Sequence, residues 1–252
     1  MSLANPNFKI TQTIVSHANE ERLVSEFFNL ECKHSGTFVD IGGNLPATAV
    51  SRPLMEAGWT GIIVEPIPVN AEALRTAGWQ NVEQCAITSP EKMVTKTATL
   101  FLGGGANGPH SSLDLNAMDP RSRNNQEITV KLKTLSNLLD SYQLKHLNLL
   151  SIDTEGTELD VLKGVDFTKI TIDLILVEDW QRDTKIHQYL LSQRYKIILR
   201  SGFNSWYVPI DTNLKVPVLG RIKLLKKLYL SSHIKQFKHR RRLSKLTNQS
   251  IS

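Results

Sequence analysis

The chain has 252 residues, 40% of them hydrophobic and 21% charged, which suffices to bury the core of one α/β domain with an appendage. No apolar run approaches the roughly 20 residues of a bilayer-spanning helix, and the N-terminus lacks a charged start followed by an apolar core, so the expectation is a cytoplasmic protein. The formal charge of +6 divides unevenly: residues 221–252 carry ten Lys or Arg and no Asp or Glu, leaving 20 basic against 24 acidic residues in 1–220.

Three regions follow from these patterns: an N-terminal extension with a helix (1–35), an α/β domain (36–212) and a basic amphipathic tail (213–252). Residues 1–15 show little periodicity. From Ala18 to Leu30 the apolar residues Leu23, Val24, Phe27, Phe28 and Leu30 recur at helical spacing, predicting a helix over one edge or end of a sheet. Cys32 and Cys85 are too few for a disulfide framework and lack metal-ligand spacing, so both read as reduced thiols.

Thr37–Ile41 is a short β-branched and aromatic run that stops at Gly42-Gly43-Asn44, the pattern of a central parallel strand entering a glycine turn. Glycines there let the backbone take positive φ and let a ligand approach, and ligands of open α/β sheets bind at the carboxyl ends of the strands. A helix over Ala47–Ala57 follows, then a second apolar strand, Gly61–Val64, closing on Glu65 and Pro66. Glu65 lies 25 residues after Asp40, one βαβ unit on, where a carboxylate can accept both hydrogen bonds of a ribose diol.

Val69–Ala77 reads as the next helix and Asn81–Thr88 as a third strand carrying Cys85 and Ala86 to the same edge. Thr95–Leu102 and Glu127–Lys133 alternate as further strands around Gly103–Ser112, which reads either as a lid or as a long surface loop. After a helix over Thr134–Tyr142, Leu147–Ile152 forms a nearly continuous apolar strand ending in Asp153, with Glu155 and Glu158 close behind. Glu158 also suits the first turn of its helix, where a carboxylate complements the dipole. Ile172–Val177 ends in Glu178 and Asp179, Thr184–Gln193 is helical, and Tyr195–Leu199 with Ser205–Ile210 make a closing pair.

Four of these stretches carry a resemblance. Val39-Asp40-Ile41-Gly42-Gly43-Asn44, Ile63-Val64-Glu65-Pro66-Ile67-Pro68, Ser151-Ile152-Asp153-Thr154-Glu155-Gly156-Thr157-Glu158-Leu159 and Leu176-Val177-Glu178 resemble, in order, the motifs of FkbM-type methyltransferases, which methylate hydroxyl groups with S-adenosylmethionine (SAM). One departure is local: the family carries an acidic residue and a third glycine after the Asn, where this chain has Leu45 and Pro46.

The pattern gives seven strands with interleaved helices, and the resemblance implies that they form a Rossmann-like sheet ordered 3-2-1-4-5-7-6, with the last strand antiparallel beside the fifth. Asp40, Gly42, Gly43, Asn44, Glu65, Pro66 and Asp153 would then hold the cofactor, Cys85 and Ala86 would border its adenine, and Ser111 and Ser112 would bind its carboxylate or the acceptor hydroxyl. Asp153 is the first choice of base, with Glu155, Glu178 and His110 as further candidates. Asp153, Glu178 and Asp179 also resemble the Mg²⁺ site of some small-molecule O-methyltransferases. The implied reaction is methylation of a sugar hydroxyl, of a surface glycan or its precursor, or of a secondary metabolite.

Two rivals stand beside it. A nicotinamide-dependent oxidoreductase is disfavoured because Gly42–Ala47 does not satisfy G-x-G-x-x-G. A catalytically silent SAM-fold module, docked to a membrane or partner by its tail, would show the same motifs. In Leu214–Leu246 apolar residues alternate with Lys and Arg, which suits a helix on an anionic membrane, or a solvated or oligomer-forming helix. Nucleic acid is the weakest option for substrate, because Asp153-Thr154-Glu155-Gly156 replaces the Asn/Asp-Pro-Pro-aromatic motif of base methyltransferases.

Overall fold

The computed structural model describes residues 4–16, 20–32, 35–105, 107–179 and 184–230. In chain order the elements are β1 (Ile14–Val15), α1 (Glu20–Phe28), β2 (Thr37–Ile41), α2 (Arg52–Glu56), β3 (Thr60–Val64), α3 (Pro68–Thr76), β4 (Asn81–Glu83), β5 (Ala86–Ile87) and β6 (Thr97–Gly103). There follow β7 (Arg123–Lys133), α4 (Leu135–Ser141), β8 (His146–Ile152), α5 (Glu158–Lys163), β9 (Thr171–Glu178), α6 (Lys185–Ser192), β10 (Tyr195–Ser201), β11 (Asn204–Pro209) and α7 (Val218–Leu225), which runs into a π-helical turn over Lys226–Leu230.

The main sheet has eight strands, ordered β1-β10-β11-β9-β8-β2-β3-β4, rather than the seven expected. Seven of them follow the expected order, with β11 antiparallel to both β9 and β10. The eighth is the two-residue β1, parallel to β10, too short for any periodicity to reveal. A second correction concerns the expected strand Asn81–Thr88. It breaks at Gln84–Cys85, where the Cys85 amide bonds back to the Glu83 carbonyl, and its second half becomes β5. That strand pairs with β7, and β7 with β6, in a separate three-stranded sheet. The helix expected over Ala47–Ala57 starts only at Arg52. Pro53 has no amide and its ring would clash with a carbonyl one turn back, so the helix can begin no earlier, and Leu45–Ser51 turns instead.

Apolar residues cover both faces of the sheet, as the near-continuous hydrophobic strands require. On one face Val39, Ile41, Ile62, Leu150, Ile152 and Ile175 pack against Leu135, Leu138, Val161, Leu162 and Leu190 of α4, α5 and α6. On the other, Phe38, Leu149, Leu174, Leu176 and Trp206 meet Val24, Phe27 and Phe28 of α1. Helix α1 therefore lies on a face, not at an edge. The short α2 cannot shield those strands alone, and Phe27 meets Trp206 edge-on with ring centroids 6.3 Å apart. Buried Glu20 anchors the start of α1 by accepting hydrogen bonds from Ser201 Oγ and Asn204 Nδ2.

Register positions the site. Ile41 is opposite Val64 on one side and Ile152 on the other, and Ile152 is opposite Val177. The next residue of each chain segment, Gly42, Glu65, Asp153 and Glu178, therefore emerges on one rim. Leu214 and Val216 are buried against the α1 face, and α7 docks beside β1 and β10. Of the tail helix expected over Leu214–Leu246, only Val218–Leu230 is helical among the described residues, and Leu214–Pro217 are not; the remainder, with Ile234 and Phe237, lies outside the described residues. No described helix is long and apolar enough to cross a membrane.

Candidate active site

Over that rim opens a cleft of about 650 Å³, its mouth included, walled by the ends of β2, β3 and β8, the start of α3, β5 and the glycine-rich run after β6. Its floor depends on one glycine. Gly42 has φ +86°, and a Cβ there would stand 1.7 Å from the Asp153 carbonyl oxygen, so no other residue fits. Asn44 follows in the left-handed region at φ 51°, a conformation asparagine tolerates better than most residues.

Glu65 is the hinge of the cleft. One carboxylate oxygen accepts the Asn44 amide at 2.8 Å and the other the Ile67 amide at 2.8 Å, tying the turn after β2 to the start of α3. Burial raises its pKa to about 7, against the pull of those amides. The Asn70 side chain is a third hydrogen-bond partner of this carboxylate. Pro66, Cys85, Ala86 and Ser111 line the cleft as well, with Ile41, Val64, Ile87 and Leu100 as its apolar wall. Burial pushes the Cys85 thiol up to about 11, which makes it a wall and not a nucleophile.

An acidic rim borders the cleft. Among the described residues, one ligand oxygen each from Asp153, Glu155 and Glu178 fall within 4.8 Å of one another. Asp153 opens into the cleft, yet lost hydration, then the charges of Glu155 and Glu158, hold its carboxyl well above the usual carboxylate range. Its hydrogen bond with Glu178 opposes that rise. Glu155, at φ 54°, reaches His110 Nδ1 at 2.9 Å. An adjoining polar hollow lined by His110, Asp119, Arg121, Ser122, Glu155 and Gly156 shares Glu155 with the cleft.

Several expected residues stand elsewhere. Asp40 points to the opposite face of β2, as alternation along a strand dictates for the neighbour of Ile41. There it accepts Ser51 Oγ at 2.7 Å and the Ser51 amide at 3.1 Å, bracing α2. Gly43 backs onto the core, where a Cβ would lie 2.3 Å from Ile63 Cδ1. Ser112 pairs with Phe101 through its backbone and accepts the Asp114 amide on its hydroxyl. Asp179 lies 3.8 Å from the buried Arg200 guanidinium, so Glu155 takes its place in the acidic triad. Glu158 accepts the amides of Thr154 and Gly156 at 3.1 and 2.8 Å and so shapes the turn after β8.

Of the glycine-rich run, Gly108, Pro109 and Ser111 form a wall of the cleft. Asn70, not foreseen from the sequence, ties that wall down: its Nδ2 donates to the Asn107 carbonyl at 2.8 Å and to Asn44 Oδ1 at 3.2 Å. Buried Asn70 Oδ1 has no hydrogen-bond partner among the described residues. Its place one helical turn after Pro66 was the available signal.

The family model for the FkbM methyltransferase domain matches residues 40–197. The chain belongs to the FkbM methyltransferase family. It is also similar to "Methyltransferase 1" of Beauveria bassiana (strain ARSEF 2860), 26% identical over 180 residues that cover 65% of this chain and 71% of the relative. The FkbM match spans the whole rim, from Asp40 through Glu65 and Asp153 to Glu178, and supports methyl transfer as the activity.

Proposed function

We propose that this FkbM protein is a SAM-dependent O-methyltransferase whose acceptor is a hydroxyl of a sugar, in a surface glycan or its precursor, or of a secondary metabolite. The observation that carries the reading is Glu65: a buried carboxylate at the end of β3, lining a cleft floored by a glycine that admits no Cβ. The cleft fits the cofactor in three further respects. It has Ile41, Val64, Ala86 and Leu100 in its wall to take a base, an unfilled acceptor at Asn70 Oδ1, and carboxylates along its rim.

SAM would be held by Gly42, Asn44, Glu65, Asn70 and Ala86, and when bound it supplies an electrophilic methyl group on a sulfonium. What remains for the chain is alignment and proton removal. Alignment is the larger contribution, because fixing two reactants converts an encounter into an intramolecular step. A positioned base adds about 10²- to 10⁴-fold. Asp153 is that base, made more basic than an ordinary carboxylate by its surroundings. Glu155, bonded to His110, orients the acceptor, and the hollow beside it, with a guanidinium, carboxylates and a serine, suits a polyhydroxylated molecule better than an apolar one.

The acidic triad also supports a second reading, in which Asp153, Glu155 and Glu178 hold Mg²⁺ through hard oxygen donors and lower the acceptor's pKa. Activity abolished by EDTA and restored by Mg²⁺ would establish it; full activity in EDTA would remove it. The primary test is transfer of a labelled methyl group from SAM to a panel of oligosaccharides and hydroxylated metabolites. Label on carbohydrate oxygen supports the proposal, and absence of transfer to any hydroxyl leaves the silent binding module in its place.

A further inference from the structure

We propose that α7 and the π-helical turn that follows it, Val218–Leu230, form a docking surface for a lipid bilayer bearing anionic headgroups, a property independent of the methyl-transfer reading. Helix α7 has two apolar faces where a surface helix normally has one. The first is committed to the body: Gly220 lies against Thr13, whose hydroxyl bonds the Gly220 carbonyl at 3.2 Å, while Leu224 and Leu228 are buried. The second is not. Val218, Ile222 and Leu225 recur at i, i+4 and i+7 on the side away from that contact, and Val218 and its neighbour Leu219 are 73% and 74% exposed. Tyr229 and Leu230 extend the apolar surface through the π-helical turn.

Charge identifies the occupant. Arg221, Lys223 and Lys226 are exposed beside this stripe, and from Thr212 to Ser252 there is no Asp or Glu. Apolar side chains flanked by cations match the boundary between acyl chains and acidic headgroups, where a helix lies in the plane of the membrane. A second copy of the chain would bury the stripe, but a two-fold contact would set one cationic segment against another. A nucleic acid would engage the cations and leave the stripe wet.

The test is flotation of the full chain with vesicles of phosphatidylcholine alone or mixed 7:3 with phosphatidylglycerol. The protein is expected to float with the anionic vesicles, to remain behind with the neutral ones, and to be released by 0.5 M NaCl. Ile222→Ser with Leu225→Ser should abolish flotation while the chain keeps its wild-type circular dichroism and cooperative unfolding, since the two side chains are 44% and 47% exposed. Arg221→Gln, Lys223→Gln and Lys226→Gln should each weaken it by about fivefold. No flotation with phosphatidylglycerol, flotation unaffected by the serine pair, or a dimer in light scattering that the serine pair dissolves would each overturn the proposal.

Discussion

The rim of the cleft and the outer side of α7 handle charge in opposite ways. At the rim, carboxylates are withdrawn from water and held by backbone: Glu65 by the amides of Asn44 and Ile67, Glu158 by those of Thr154 and Gly156. On α7 the cations stay in water and apolar side chains lie exposed between them. Burying a charge costs free energy unless it is paired or its pKa shifts. A rim that keeps several buried acids is organised for a ligand or a proton, whereas exposed cations beside leucines are organised for a surface.

The comparison can be broken at its sharpest point first. Asp153→Asn is expected to lower kcat by about 10²- to 10⁴-fold while SAM affinity stays within a few-fold. The ascending limb of the wild-type pH–rate profile, placed above the ordinary carboxylate range because the Asp153 carboxyl is held high, should vanish in the variant. A kcat within twofold of wild type would remove Asp153 as the base.

Next, Gly42→Ala forces a Cβ against the Asp153 carbonyl at φ +86° and should cost about 3 kcal/mol or more in denaturant unfolding. Gly58→Ala and Gly78→Ala, at φ +81° and +101° with open space around them, isolate the backbone strain and should cost about 1 kcal/mol each. Equal losses at all three would mean that the cleft floor is not closely packed.

The third prediction concerns pH. Glu65 titrates at about 7 in the folded chain against 4.5 when unfolded. Between those values the folded chain holds the extra proton, so the Glu65 contribution is fully present below pH 4.5 and is lost as pH rises to 7. Measured against Glu65→Gln, wild-type stability should therefore fall by up to about 3 kcal/mol from pH 4.5 to 8. A constant difference would show that Glu65 is ionised throughout.

Much of the rim was legible because its signals are local and its geometry is forced. A β-branched run stopping at two glycines, and a second run stopping at Glu65 one βαβ unit later, suffice once parallel register aligns their ends. What stayed hidden depends on direction or distance. Gly42 and Gly43 are neighbours of one type, yet one floors the cleft and the other packs on Ile63, a distinction set by which face of the sheet is open. Asp40 and Ile41 divide in the same way. Asp179 could not be parted from Glu178 in the sequence, because its partner Arg200 arrives from β10, two strands away across β11. The break at Gln84–Cys85 is equally silent, since no glycine or proline marks it and only the small sheet gives the second half a partner.

The central claim is that Glu65 grips the ribose of a bound adenosyl cofactor, and titration calorimetry of S-adenosylhomocysteine into the wild-type chain and Glu65→Gln tests it most directly. One-to-one binding to the wild type, weakened at least tenfold in the variant and accompanied by proton release near pH 7, is the predicted result. No binding to the wild type, or equal affinity in the two proteins, would contradict it.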